Sequence, residues 1–216
     1  MTQAILFDMD GTLFQTDLIL EPALEATFEV LRKEQQWQGE TPIEKYREIM
    51  GVPLPVVWET LCPNHSLELR DKSNDIFQQQ LITLISEHRG ALYDGVEETL
   101  ALLSERYPLF IASNGYIEYL AAIVEAYQLQ RFIQQTYSIQ FIASGNKSEL
   151  VELVKTEHQI QSGFVVGDRA SDIQAAKDNH LTSIGVRFDF AQDSELQHAD
   201  HVVDSFNDLL TVICVK

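Results

Sequence analysis

Apolar residues in this chain gather into short blocks that stop at polar or glycine positions, and the blocks follow two different periods. Residues 3–7 (QAILF) form an apolar run closed by Asp8, which predicts a buried strand. Runs of the same kind occupy 109–113 (LFIAS), 137–142 (YSIQFI), 163–166 (GFVV), 182–186 (TSIGV) and 201–203 (HVV). Between them the apolar positions recur at helical spacing. Val96, Leu100 and Leu103 share a face over 95–105, as do Leu120, Ile123, Val124 and Tyr127 over 117–127. Leu150, Val151 and Val154 do so over 147–157, and 170–178 is short and rich in alanine. Strand and helix alternating from about residue 90 predict βαβ units and a parallel sheet.

The first strand is cut off from this series. Residues 18 to about 88 show only helical periods, over 18–35, 43–50, 54–61 and 66–87, with breaks at Gly39, Pro42, Gly51, Pro53 and Pro63. The predicted architecture is an α/β core, a doubly wound parallel sheet built from 1–16 and 89–216, interrupted by an all-helical module at 17–88.

Charge narrows what such a protein can bind. Lys and Arg total 15 against 33 Asp and Glu, a formal charge of −18. That field repels nucleic acids and anionic lipid surfaces, and an anionic substrate would need a local cation. Cys62 and Cys214 lie far apart and fit no metal or redox spacing, so free thiols in a reducing compartment are expected. With no signal-peptide pattern and no apolar run of bilayer length, the expectation is a cytoplasmic protein, a monomer or weak homodimer. His198 and His201 have no third metal-type ligand beside them and read as surface residues.

In a doubly wound sheet, sites form outside the carboxyl ends of the strands. Asp8, Asp10 and then Gly11-Thr12 follow the first predicted strand; Ser113 and Asn114 follow the second. Lys147 opens a helix, and Gly167-Asp168-Arg169 and Asp172 follow the strand at 163–166. Singly, each has an ordinary reading. An aspartate after a strand caps a turn or helix, Asn114-Gly115 suits a hairpin, and a lone lysine is usually solvated. Asp168 and Asp172 would also serve as acids at a helix N-terminus. Those readings do not account for four carboxylates, a hydroxyl and an ammonium at one sheet edge.

The segments FDMDGTL at 7–13, Ser113 after a strand, Lys147 opening a helix and GDRASD at 167–172 together resemble the four motifs of the haloacid dehalogenase superfamily. The helical insert resembles the C1 cap of its phosphatase and phosphomutase branch, and the likeness spans essentially the whole chain. The resemblance implies that Asp8 attacks phosphorus to form an aspartyl-phosphate and that Asp10 acts as general acid and then base. It implies Mg2+ held by Asp8, Asp168 and the Asp10 backbone carbonyl, with Asp172 orienting Lys147 or a water on the ion. Phosphate would be bound by Ser113, Lys147 and backbone N–H groups near Gly11 and Asn114.

Dehalogenases of the superfamily lack the second aspartate, so Asp10 sets dehalogenation aside, and Ser-Glu-Leu after Lys147 resembles the phosphatases acting on phosphoglycolate, nucleotides or sugar phosphates. A phosphomutase of the beta-phosphoglucomutase type, and a non-catalytic binding or regulatory protein on the same fold, are the alternatives. Asp17, Tyr46, Arg47 and Trp58 in the insert are candidates for substrate contact, but Tyr46 and Trp58 read first as core and Arg47 as a solvated residue. Arg169 reads as structural or gating. Two features depart from common family patterns. Lys147 is followed by Ser-Glu-Leu rather than proline, and RFDF at 187–190 stands where relatives often carry a glycine-rich turn.

Overall fold

A computed structural model describes residues 2–49, 52–189 and 191–214. Those residues divide into two compact units, Met1–Gln15 with Ala91–Lys216, and Thr16–Gly90. In chain order the elements begin with β1 (Thr2–Phe7), followed by α1 (Asp17–Lys33), α2 (Ile43–Glu48), α3 (Leu54–Leu61) and α4 (Leu67–Ser86). Then come α5 (Val96–Ser104), β2 (Leu109–Ser113), α6 (Ile117–Ala126), β3 (Ile133–Ser138), α7 (Lys147–Glu157) and β4 (Ile160–Gly167). The chain continues through α8 (Ala170–Asp178), β5 (Thr182–Val186), α9 (Asp193–Leu196), β6 (His201–Val203) and α10 (Leu209–Cys214).

The strands form one parallel sheet in the order β3-β2-β1-β4-β5-β6. From β1 the chain winds outward through β2 and β3, then returns to the other side of β1 with β4. The order therefore reverses at β1, and in doubly wound sheets sites form beyond the carboxyl ends of the strands at such a reversal. The central strand is covered on both faces, which is why Ala4, Ile5, Leu6 and Phe7 run apolar without alternation and are all fully buried. On one face α7 and α8 supply Leu150, Val151, Val154, Ala175 and Ala176 to a cluster with Leu6 and Val165. On the other, Phe7 meets the Phe206 ring at 5.9 Å.

The helical unit has its own interior. Phe28 of α1 stands 6.2 Å from the Trp58 ring of α3, and Trp58 stands 5.8 Å from Phe77 of α4. Burying such rings is worth several kcal/mol each, about 3–5 for loss to alanine. Tyr46 joins them at 5.6 Å from Phe77, and both Tyr46 and Trp58 are buried, as their core reading had it. No helix among the described residues is long and apolar enough to cross a membrane.

Two predicted elements move. The run at 137–142 is a strand only to Ser138; β3 begins at Ile133, and 139–141 form a short turn. Gln134 and Gln135 lie exposed on this edge strand, so its first half carries no apolar signature, and Ser138 Oγ accepts from Gln140 N–H to start the turn. The helix expected over 43–50 ends at Glu48; Met50, Gly51 and Phe190 lie outside the described residues. Cys62 is a buried free thiol, while the side chain of Cys214 lies outside the described set.

Candidate active site

The residues after β1 and β4 meet at the strand reversal. Asp8 N–H donates to Val166 O at 2.9 Å, so the sheet's own hydrogen bonding extends one residue past β1 and fixes Asp8 beside the end of β4. Gly167 and Asp168 follow directly. Asp8, Asp168 and Asp172 each place a carboxylate oxygen within 4.8 Å of the others, and all three are buried.

Two glycines make this crowding feasible. Gly11 has φ +70°, and a β-carbon there would meet Asp168 Oδ2 at 2.5 Å. At Gly167 a β-carbon would stand 2.1 Å from Asp172 Cγ. The Gly11 N–H itself donates to Phe14 O at 3.1 Å, so in this structure the residue closes a turn and makes room for Asp168. The next side chain, Thr12, donates through Oγ1 to Asp168 Oδ1 at 3.2 Å.

Lys147 enters from α7. Asn146 caps that helix, its Oδ1 accepting from Ser148 N–H at 2.8 Å, which leaves Lys147 as the first helical residue. The positive end of a helix is an unfavourable place for an ammonium, and this one is buried as well. It is held there by carboxylates: Nζ lies 2.9 Å from Asp8 Oδ1 and also pairs with Asp172 Oδ1. Burial opposes the charge on Lys147, but Asp172 and Asp8 outweigh it and hold the ammonium above the usual lysine range. Asp172 also accepts from the Arg169 N–H at 3.1 Å, so it caps α8 as well as pairing with Lys147.

The electrostatics favour a further cation. Burial, then repulsion from Asp172 and Asp8, raises Asp168 well above the usual carboxylate range. Burial pushes Asp172 up to about 6 against the pull of Lys147, with Asp8 adding to the rise. Three buried carboxylates stand beside one ammonium, which pairs with two of them, and hard oxygen donors in such a cluster fit a divalent ion of the Mg2+ kind.

Ser113 and Asn114 lie at the end of β2, the neighbour of β1 on its other side. Ser113 Oγ accepts from Gly115 N–H at 3.2 Å, and the chain runs on into α6, so Asn114-Gly115 forms no hairpin. Asp10 accepts a hydrogen bond at Oδ1 from the Tyr119 hydroxyl of α6. The sequence pattern did not single out Tyr119; a tyrosine at helical spacing reads as core, and its place in the first turn after Ser113-Asn114 was the available signal.

Other candidates are held by ion pairs or ring contacts. Arg169 pairs with Glu195 of α9 at 2.9 Å. Arg47 lies 3.4 Å from Asp17, 3.6 Å from Glu21 and 3.2 Å from Glu44, within the helical unit. Phe188 of the RFDF segment stacks on Tyr93 at 4.5 Å, and Tyr93 donates to Asp189 at 2.8 Å, so that turn is pinned by an aromatic pair rather than shaped by glycines. His198 and His201 are exposed.

Comparison with known proteins adds a family. The family described as haloacid dehalogenase-like hydrolase matches residues 5–186. The pyrophosphatase PpaX of Listeria monocytogenes is 23% identical over 215 residues, covering 97% of this chain and 95% of the relative. Among solved structures, CbbY from Rhodobacter sphaeroides in complex with phosphate aligns with TM-score 0.82 at 21% identity, covering 97% of this chain and 96% of that one. A predicted phosphatase from Clostridium acetobutylicum aligns with TM-score 0.81 at 22% identity, covering 99% of each chain.

Proposed function

The chain belongs to the haloacid dehalogenase-like hydrolases and stands among their phosphatases; on that premise we propose that it hydrolyses a small phosphorylated metabolite with Mg2+ present, through a phosphoryl group carried on Asp8. The observation that supports this most is the buried ammonium of Lys147 shared between Asp8 and Asp172, with the Asp168 carboxylate inside the same cluster.

Phosphoryl transfer asks for positioning and charge more than for covalent work by the protein. Lys147 holds the Asp8 carboxylate in position, and it faces the charge that builds on the phosphoryl oxygens. Asp8 attacks phosphorus, and the bridging oxygen leaves with a proton from Asp10, giving the alcohol and an aspartyl-phosphate. Water then attacks phosphorus, Asp10 takes its proton, and phosphate leaves with Asp8 restored. The Ser113 hydroxyl and the Asn114 amide bind phosphate oxygens from the β2 side. Asp8, Asp168 and the Asp10 carbonyl would hold Mg2+, which when bound supplies further positive charge to the phosphoryl oxygens. Asp172 keeps Lys147 in place. Specificity for phosphoglycolate, a sugar phosphate or a nucleotide is assigned to the helical unit, residues 17–88 in the sequence division, acting as a cap.

Phosphate release from those compounds and from pyrophosphate, with Mg2+ and with a chelator, tests the reading. Acid quenching during turnover, followed by mass spectrometry, should locate a phosphoryl group on Asp8. Release that survives Asp8→Asn, or a phosphoryl group on another residue, sinks it. A sugar phosphate that isomerises without releasing phosphate would move the protein to the mutases.

A further inference from the structure

Asp10 performs both proton transfers in the proposed reaction, and its carboxylate is gripped from a helix 109 residues away in sequence, where the Tyr119 hydroxyl donates to Asp10 Oδ1. Tyr119 is the third residue of α6. Helical side chains lean toward the N-terminus of their helix, so from this position the ring runs back to the carboxyl ends of the strands. The ring is buried, at 4% exposure. Gly115 keeps its path open: a β-carbon there would stand 3.1 Å from Tyr119 Cδ1 and 2.8 Å from Leu120 Cδ2.

The turn beneath the ring is tied on several sides. Ser138 Oγ donates to Gly115 O at 2.6 Å, Gly115 N–H donates to Ser113 Oγ at 3.2 Å, and Ile117 N–H donates to Gln140 Oε1 at 2.7 Å. The tyrosine hydroxyl is therefore fixed by the same turn that carries Ser113 and Asn114.

An aspartate side chain has two rotatable bonds, and Asp10 is only half-buried, two residues from a like charge. A hydrogen bond to a carboxylate is among the stronger ones, and a displacement of about 1 Å at a reacting group can cost about a hundredfold in rate. We propose that Tyr119 is a positioning residue for the reaction, holding the Asp10 carboxylate by Oδ1 so that it meets the bridging oxygen of the substrate. The assignment rests on the reading of Asp10 as acid and base.

The test is kcat/KM across phosphate esters of graded leaving group, from dinitrophenyl phosphate to an alkyl phosphate, for the wild type, Tyr119→Phe, Asp10→Asn and the double variant. A dinitrophenolate departs without a proton, whereas an alkoxide needs one. Tyr119→Phe keeps the ring over Gly115 and removes only the hydroxyl. It should lower kcat/KM about 10- to 100-fold for the alkyl ester and about twofold or less for the dinitrophenyl ester, and it should add nothing in the Asp10→Asn background. A loss of equal size across the series, or a further loss in the Asp10→Asn background, would mean that Tyr119 acts on the fold and would overturn the proposal. If Asp10→Asn steepens the leaving-group dependence and Tyr119→Phe does not, Tyr119 alone is refuted. If Asp10→Asn leaves the dependence unchanged, the acid–base reading fails and the positioning role fails with it.

Discussion

The two units bury polar side chains in opposite ways. Among the described residues of the helical unit, those buried are Thr16, Thr27, Ser73 and Asn74, all uncharged. Several serve local packing: Thr27 Oγ1 donates to Ala23 O at 2.8 Å, Ser73 Oγ to Leu69 O at 2.7 Å, and Trp58 Nε1 donates to Asn74 Oδ1 at 3.0 Å. The α/β unit instead buries Asp8, Asp168, Asp172 and Lys147 in one cluster. Burying charge is costly even when it is paired, and apolar residues would hold the same space at lower cost. The helical unit shows what stability alone asks of an interior. The excess in the α/β unit is the mark of a candidate active site.

Substitutions on either side sharpen that contrast. The largest effect is expected from Asp8→Asn, which should reduce phosphate release at least about a thousandfold while leaving the urea unfolding midpoint unchanged or raised, since one member of a like-charged cluster is gone. A large fall in the midpoint would make the cluster a stability device instead. Lys147→Met should cost about 3–5 kcal/mol in urea unfolding of the metal-free protein, because it strands buried carboxylates, and Mg2+ should recover part of the loss by binding the native state.

In the helical unit, burial pushes the Cys62 thiol up from 9.0 to about 11, with Arg70 and Lys45 pulling the other way. The thiolate is the reactive form, so at pH 8 its population is about a hundredfold below that of an ordinary cysteine, and alkylation mapped to Cys62 should be slower in the folded than in the unfolded protein by that factor. The rate should climb about tenfold per pH unit toward 11. Reaction at the unfolded rate would place a functional thiolate in the helical unit and break the contrast. Asn74→Ala is the mildest case. It leaves the Trp58 indole N–H without its partner and should cost about 1–3 kcal/mol, with activity per folded molecule unchanged.

Much of this arrangement could be read from residue order, and the exceptions share a cause. Short apolar runs marked β2, β5 and β6 to the residue, and Asn146 ahead of Lys147 agrees with where α7 begins. Edge position hid β3, because a strand with one open side tolerates Gln134 and Gln135 where a central strand would not. Asp8, Lys147, Asp168 and Asp172 stood out because each follows a strand or opens a helix, which local pattern can register. Tyr119, the Thr12 contact to Asp168 and the room left at Gly11 and Gly167 depend on how separate segments approach one another. No local period carries that information.

The exit and return of the chain have a further consequence. Gln15 N–H donates to Ala91 O at 2.9 Å, its side chain donates to Leu92 O at 2.7 Å, and Tyr93 N–H donates to Leu13 O at 3.1 Å. The backbone thus leaves the sheet and rejoins it through a single stitched doorway. For the chain, the segment between these two crossings is a closed loop, whose entropic cost grows slowly with its length. By that scaling, doubling the length of the loop would add only about 0.6 kcal/mol to the cost of bringing Gln15 and Ala91 together.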